Sequence, residues 1–247
     1  MVNAFASEHG IALGQIATEE KSNEITAIPE LLDQIDIQGA VVTIDAMGCQ
    51  KEIARKIAKQ QGKFVIAVKG NQPTLFETIK SFFERHWEAG DWSTGHCHRH
   101  HTSEQNGTCQ VDRYYYAAPI PRQESVFADW PWVKAIGMAI SLRQQDDEVT
   151  EEVRYYILSD YFTGKDFARG ARRHWSIENN CHWQLDVLFG EDASPVKERI
   201  LGNNLSWLRR VAISLLKHHK SPDSLKGKRQ RAAWNENFLA EALQITE

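Results

Sequence analysis

The sequence is poor in cysteine and has no long apolar run. Only four cysteines occur among its 247 residues, and they form no CxxC pair, which suits a reducing cytoplasm better than a disulfide framework. No run of about 18 apolar residues is present, so nothing resembles a membrane span. The opening residues also lack the basic-then-apolar layout of a secretory signal. These absences predict a cytoplasmic protein that does not enter a membrane.

A general excess of basic residues is absent as well. Lys and Arg number 29 against 33 Asp and Glu, which gives a formal net charge of −4. A protein that coats nucleic acid is usually basic, so any DNA binding must come from local patches. The apolar fraction of 42% is enough for a sizeable core, and the length suits one large domain or two small ones.

The first half of the chain alternates strand and helix signals. Residues 24–35 place apolar side chains at helical spacing, whereas residues 40–45 form an apolar, β-branched run that is typical of a strand covered on both faces. Strand–helix–strand units with short connections predict parallel pairing and an α/β fold. The predicted strands are 2–7, 11–18, 40–45 and 64–68, and the predicted helices are 24–35, 50–61 and 74–86.

The composition of the chain changes at about residue 91. Residues 91–112 are polar and rich in Gly, His and Thr, and strand signals follow them. We therefore predict a mainly β insertion, with helices after it. We interpret residues 220–231, KSPDSLKGKRQR, as a basic and flexible loop. The predicted strands are 113–118, 132–142 and 153–159, with a loop over 143–148, and the predicted helices are 165–181, 199–217 and 232–245.

Asp45 follows the predicted buried strand directly. Ligands and catalytic groups in open α/β sheets gather at the carboxyl ends of the strands, which makes this carboxylate a candidate for chemistry. An Asp at such a position also caps the turn that follows a strand. Its position alone leaves both interpretations open.

Glu178 lies in a stretch with helical spacing. In a helix, His174, Glu178 and His182 fall four residues apart on one face, and a carboxylate between two imidazoles is a candidate metal ligand. The alternative is a polar helix face beside aromatic core packing by Trp175 and Trp183. Spacing alone favours that alternative.

Three motifs carry a resemblance to a known family. They are TIDAMGCQ at 43–50, VKGNQP at 68–73 and HWSIENNCHWQLDVLFGED at 174–192, and they occur in this order. Together they resemble the ISAs-type insertion-sequence transposases, also called H-repeat-associated proteins. The resemblance extends over nearly the whole chain and is weakest from about residue 91 to residue 150.

This resemblance implies an RNase H-like fold with a mixed sheet and a DDE active site. Such a site uses three carboxylates to hold two Mg²⁺ (or Mn²⁺) ions, which activate the attacking oxygen and stabilise the leaving oxygen at a phosphate. Asp45 matches the second carboxylate of the family and Glu178 the third. The implied activity is cutting and joining of transposon-end DNA. The implied partners are the transposon ends, the target DNA and a further copy of the chain.

DNA contacts are expected from residues near these motifs and from the second half of the chain. Basic side chains bind phosphates without reading sequence, so the contacts would be sensitive to salt. For the basic loop at 220–231, a solvated surface without a DNA contact is as good an interpretation as a phosphate contact. The residues expected at DNA are Lys69, Asn71, Arg172, Arg173, His174, Arg209 and Arg210.

The first carboxylate of the family has no counterpart here. It belongs to a strand upstream of the one that matches residues 2–7, and no Asp precedes Asp33 in this sequence. We therefore expect an N-terminally truncated transposase that lacks the first strand and cuts DNA poorly or not at all. The hairpin 2–18 would then pair against the Asp45 strand or pack loosely. Three positions of a wider Tyr–Arg–Glu–Lys pattern also differ: Ala171, His174 and Leu185.

Three segments and two rival functions complete the expectations. Residues 1–90 would be the first part of the catalytic domain, 91–160 the β-rich insertion, and 161–247 a helical part that carries Glu178. One rival is a non-catalytic remnant that binds DNA or a full-length partner. The other is a zinc-binding or interaction module, for which no standard finger spacing is present. Its candidate ligands are His96, Cys97, His98, His100, His101 and Cys109.

Overall fold

The fold was analysed in a computed structural model, which describes residues 1–18, 24–90, 98–121, 123–146, 148–174, 177, 183–191 and 193–244. The chain divides into two compact units. One comprises Met1–Lys21 with Trp175–Glu247, and the other comprises Ser22–His174. Among the described residues, no helix is both long and apolar enough to cross a membrane.

The elements follow the chain in this order. The strands are β1 (Val2–Ala6), β2 (Ile11–Ile16), β3 (Val41–Ile44), β4 (Lys63–Val68), β5 (His98–Asn106), β6 (Cys109–Pro119), β7 (Ala135–Gln145) and β8 (Glu148–Leu158). The helices are α1 (Glu24–Asp33), α2 (Lys51–Lys59), α3 (Pro73–Glu88), α4 (Gly164–His174), α5 (Trp183–Phe189), α6 (Arg199–His218), α7 (Leu225–Trp234) and α8 (Glu236–Ala242). A short 3-10 helix spans Ser125–Asp129.

The larger unit is built on a six-stranded mixed sheet in the order β3-β4-β8-β7-β6-β5. Strand β3 is parallel to β4, as the strand–helix–strand pattern predicts, and the other neighbours are antiparallel. The hairpin of β1 and β2 forms a separate sheet. Among the described residues, β3 therefore has a strand partner on one edge only. Of the two predicted arrangements of the hairpin, pairing against the Asp45 strand is not observed.

Helices α2 and α3 cover one face of this sheet. Pro73 opens α3 at a position where its missing N–H costs little. Each helix buries one stripe of apolar side chains in the main core: Ile53, Ala54 and Ile57 from α2, and Leu75, Ile79 and Phe83 from α3. The core therefore lies between these helices and the strands β4, β6, β7 and β8.

Helix α4 covers the opposite face at close range. A Cβ at Gly137 on β7 would lie 2.7 Å from Cζ of Phe167, and a Cβ at Gly170 would lie 3.2 Å from Cγ2 of Val65. Because these two residues lack a Cβ, the backbone of α4 and the strands can approach each other closely. The Phe167 ring meets the rings of Tyr115 and Tyr156 edge to face, which fixes α4 against the sheet.

The smaller unit joins the hairpin to α6. The backbone N–H of Ala12 donates to Ser214 Oγ at 3.3 Å, and the Gln15 side-chain amide donates to the carbonyl of Asn203 at 3.0 Å. The buried side chains of Leu185 and Ile213 form a small core in this unit. Helix α7 packs against α6, and α8 packs against α7.

The predicted fold class, a mixed α/β sheet of RNase H-like type with β-rich and helical parts, is confirmed. Several local predictions are wrong. The strand at 40–45 is not covered on both faces, because β3 lies at the edge of the described sheet and Val41 is 43% exposed. The predicted helix 232–245 is divided at Asn235 into the end of α7 and the separate helix α8.

Residues 220–231 are not a loop throughout, because α7 begins at Leu225; the buried Lys228 donates to the carbonyls of Leu216 and His219 at the end of α6. Residues 143–148 belong largely to the ends of β7 and β8. The three predicted sequence segments stay a prediction.

Candidate active site at the end of strand β3

Asp45 is the first residue after β3, and its side chain is exposed. One carboxylate oxygen, Oδ1, accepts a hydrogen bond from the backbone N–H of Gly48 at 3.3 Å. The turn is closed further by the N–H of Cys49, which donates to the carbonyl of Ala46 at 3.1 Å. The carboxylate thus caps its own turn, and it also stands at the sheet edge where ligands gather.

Gly48 makes this turn possible. A Cβ at this position would lie 2.2 Å from Cγ2 of Ile44 and 3.1 Å from Cδ1 of Ile28, closer than real side chains approach. The turn is therefore pressed against the strand that it follows. This close packing holds the backbone that carries Asp45.

Two amide side chains after β4 hold the same turn from the neighbouring strand. Asn71 donates from Nδ2 to the carbonyl of Ala46 at 2.6 Å, and Gln72 donates from Nε2 to the carbonyl of Cys49 at 2.9 Å. Both come from the VKGNQP motif. Asn71 was predicted at DNA, whereas its observed partner is the Asp45 turn, and the role of Gln72 was not predicted.

Cys49 lies in the same turn and is fully buried. Burial raises the pKa of its thiol to about 12, because a thiolate is poorly solvated among apolar side chains. This cysteine is therefore a packing residue, and Asp45 is the exposed carboxylate of the turn.

Glu178 lies outside the described residues, so its role beside Asp45 stays a prediction. His174, four residues before it in the sequence, is half-buried in the last turn of α4. Among the described residues, no group of three or more His, Cys, Asp or Glu side chains is placed to hold a metal. The described part of the candidate site consequently presents one carboxylate.

The basic residues of the predicted DNA contacts differ in their surroundings. Lys69 is exposed directly after β4. Arg172, in the last turn of α4, forms an ion pair with Glu104 of β5. Arg173 is half-buried in the same turn. Lys69 and Arg172 therefore keep the exposure that a phosphate contact needs.

Arg209 and Arg210 both lie on α6 but differ in exposure and in their partners. Arg209 is half-buried and donates to Ser194 Oγ at 3.4 Å. Arg210 is only 4% exposed, and its guanidinium lies 3.1 Å from a carboxylate oxygen of Glu191 and also contacts Ser206. A buried guanidinium with these partners stabilises the unit and lacks the exposure that a phosphate contact needs.

The His-rich segment is described only in part, because residues 91–97 are outside the described ranges. On β5, His100 and His101 occupy neighbouring positions and so point to opposite faces. His101 stacks on Tyr114 at 4.6 Å between ring centroids and lies 3.1 Å from Asp112. These contacts are those of an exposed sheet surface.

Comparison with known proteins places the chain among transposases. The family model of the Transposase DDE domain matches residues 1–215. Two Escherichia coli K12 proteins, "Putative protein YbfL" and "H repeat-associated putative transposase YhhI", are each 37% identical over 98% of this chain and 65% of their own length. "Putative transposase YncI" of Escherichia coli O157:H7 is 37% identical over 98% of this chain and 63% of its own. The chain thus spans a little under two thirds of these relatives.

Proposed function

The chain belongs to the DDE transposase family, and on that premise we propose that Asp45 and Glu178 are two of the carboxylates of a site that cuts and joins insertion-sequence DNA. The transposon ends and the target DNA would be its substrates. A second copy of the chain would be a partner in the same assembly.

The position of Asp45 carries this proposal. Its carboxylate is exposed at the carboxyl end of a parallel strand, while its turn is fixed by Gly48 and by the amides of Asn71 and Gln72. A catalytic carboxylate needs this combination, because a rigid backbone presents the oxygens without reorganisation when the substrate arrives.

Asp45 and Glu178 suit Mg²⁺ or Mn²⁺ in their chemistry. Hard divalent cations prefer carboxylate oxygens, and Mg²⁺ keeps several waters while binding through one or two carboxylates and substrate phosphates. When bound, such ions activate the attacking oxygen and stabilise the charge on the leaving oxygen. Asp45 at the strand end and Glu178, which follows α4 in the sequence, would hold these ions at the phosphate.

A third carboxylate would complete the family's site, and neither Asp33 nor Asp36 is placed as a substitute for it. Asp33 on α1 lies 2.5 Å from Nζ of Lys56, and Asp36 accepts from the backbone N–H of Gln38 at 3.0 Å. Both side chains serve local contacts. We therefore infer that these 247 residues alone bind a divalent ion weakly and do not nick DNA. A role as a DNA-binding remnant is the second candidate function.

Metal binding tests the assignment without requiring activity. Electron paramagnetic resonance of free Mn²⁺ gives the bound fraction for the whole chain, for Asp45→Asn and for Glu178→Gln. Loss of a direct ligand should weaken binding by at least the roughly tenfold that loss of a supporting contact costs. Asp36→Asn is the control and should bind as the unchanged chain does. Equal Mn²⁺ binding by all four proteins would show that these two carboxylates do not form the site.

A further inference from the structure

The outer half of the ribbon formed by β5, β6, β7 and β8 carries arginines on a single face. Cross-strand pairing aligns Arg113 with Ser141, and Arg154 with Ala139. Because facing residues share a side of the sheet and every second residue along a strand returns to it, Arg113, Arg143 and Arg154 all lie on one face. It is the face that α4 covers, since Phe167 sits over Gly137.

Helix α4 adds a fourth arginine to this face. Arg172 forms an ion pair with Glu104, and a second oxygen of Glu104 lies 3.1 Å from Arg113. Partial burial alone would raise the pKa of Glu104, but the hydrogen bonds and charges of the two arginines outweigh it and hold the pKa below its ordinary value. One carboxylate thus bridges guanidiniums from a strand and from a helix.

The opposite face of the same ribbon differs in charge. Its rows carry Asp112, Glu151 and, at the inner end of β5, Arg99, whereas the rows on the α4 side carry Arg113, Arg143 and Arg154 against Glu104, Glu148 and Glu152. With Arg172 the α4 side has four cations against three anions, and the opposite face has one cation against two anions. Positive charge is therefore concentrated on the face shared with α4.

We propose that this arginine face, formed by Arg113, Arg143, Arg154 and Arg172, binds the phosphate backbone of duplex DNA. Arginine presents planar donors that match phosphate oxygens in pairs. Glu104 acts as an internal counterion, which orients Arg113 and Arg172 and gives way to the phosphate. The choice of DNA as partner rests on the proposed function, and the surface itself rests on the strand register and the ion pairs.

Fluorescence anisotropy with a labelled duplex of random sequence tests the arginine face on the full chain. Arg113→Gln and Arg143→Gln should each weaken binding and lower the salt-dependence slope by about 0.9, because each variant neutralises one phosphate fewer. Arg99→Gln is the matched control, since Arg99 is exposed on the same ribbon but on the opposite face, over Tyr114 and Tyr116. It should leave both affinity and slope unchanged.

Glu104→Gln tests for a gain in DNA binding, which misfolding would not produce. Removing the competing carboxylate should tighten DNA binding by about two- to fivefold, the size expected for one partly exposed charge. If Arg99→Gln weakens binding as much as Arg143→Gln does, and Glu104→Gln brings no gain, the arginine face is not the contact surface, although the chain still binds DNA. If the unchanged chain fails to bind duplex DNA even at low salt, the proposed function fails together with this inference.

Discussion

The turn at Asp45 and the outer half of the β5–β8 ribbon position their charged groups in different ways. Around Asp45 the residues Ala46, Gly48 and Cys49 are buried, and close packing with backbone hydrogen bonds fixes the carboxylate. On the α4 side of the ribbon, the half-buried Arg113 and the exposed Arg172 of α4 are oriented by Glu104 through ion pairs. The first arrangement is rigid and insensitive to salt, whereas the second is adjustable and screened by salt. A catalytic carboxylate needs the rigid arrangement, whereas a surface that contacts a polyanion can use the adjustable one.

The largest effect on stability is expected at Gly48. Gly48→Ala forces a Cβ to within 2.2 Å of Cγ2 of Ile44, so the free energy of unfolding should fall by about 1–3 kcal/mol, as overpacking of a tight site usually costs. Gly70→Ala is the control, because a Cβ there meets nothing within 4 Å. Urea denaturation measures both variants. Equal stability of the two would mean that the Asp45 turn is not rigid.

A smaller effect is expected from the amide that holds the same turn. Asn71→Ala removes the donor to the carbonyl of Ala46 and should cost about 0.5–1.5 kcal/mol of unfolding free energy, the usual worth of one hydrogen bond. Because the turn carries Asp45, Mn²⁺ binding should weaken in the same variant. Gln110→Ala, on the exposed ribbon, should alter neither quantity. If the Asn71→Ala chain is equally stable and binds Mn²⁺ as before, Asn71 does not support the site.

The smallest effect is a pH dependence at Glu104. Its folded-state pKa lies below the ordinary value of 4.5, so its stabilising contribution is present above that value and is lost as pH falls through the folded-state pKa. The pair is partly exposed, so the contribution should stay below about 1 kcal/mol. Urea denaturation of the unchanged chain and Glu104→Gln should differ at neutral pH and converge in acid. A difference that grows in acid would contradict the ion-pair interpretation.

The difference between buried and exposed elements explains which of them could be predicted from the sequence. Helices α2 and α3 bury regular apolar stripes, and β3 and β4 are continuous apolar, β-branched runs, so these patterns predict them. Strand β5 is exposed on one face and half-buried on the other, and the outer ends of β7 and β8 are exposed on both, so these segments carry no apolar alternation. Helix α7 lacks an apolar face as well, and its buried Lys228 serves as a donor to carbonyls.

The candidate site was predictable to a similar, partial extent. Asp45 could be singled out from its place after an apolar, β-branched strand, and Glu178 from the family resemblance. The contacts of Asn71 and Gln72 with the turn depend on how two loops meet at the sheet edge. The bridging of Arg113 and Arg172 by Glu104 depends on strand register and on helix placement. Neither relation leaves a periodic signal in a single sequence.

Nicking of supercoiled plasmid DNA tests the carboxylate assignment most directly. The comparison uses the 247-residue chain, an extended chain with an additional N-terminal strand that ends in Asp, and Asp45→Ala and Glu178→Ala in the extended chain. We predict negligible Mg²⁺-dependent nicking by the shorter chain, clear nicking by the extended chain, and its loss in both variants. Undiminished nicking by the extended Asp45→Ala chain would contradict the assignment of Asp45, and nicking by the shorter chain equal to that of the extended one would contradict the need for a third carboxylate.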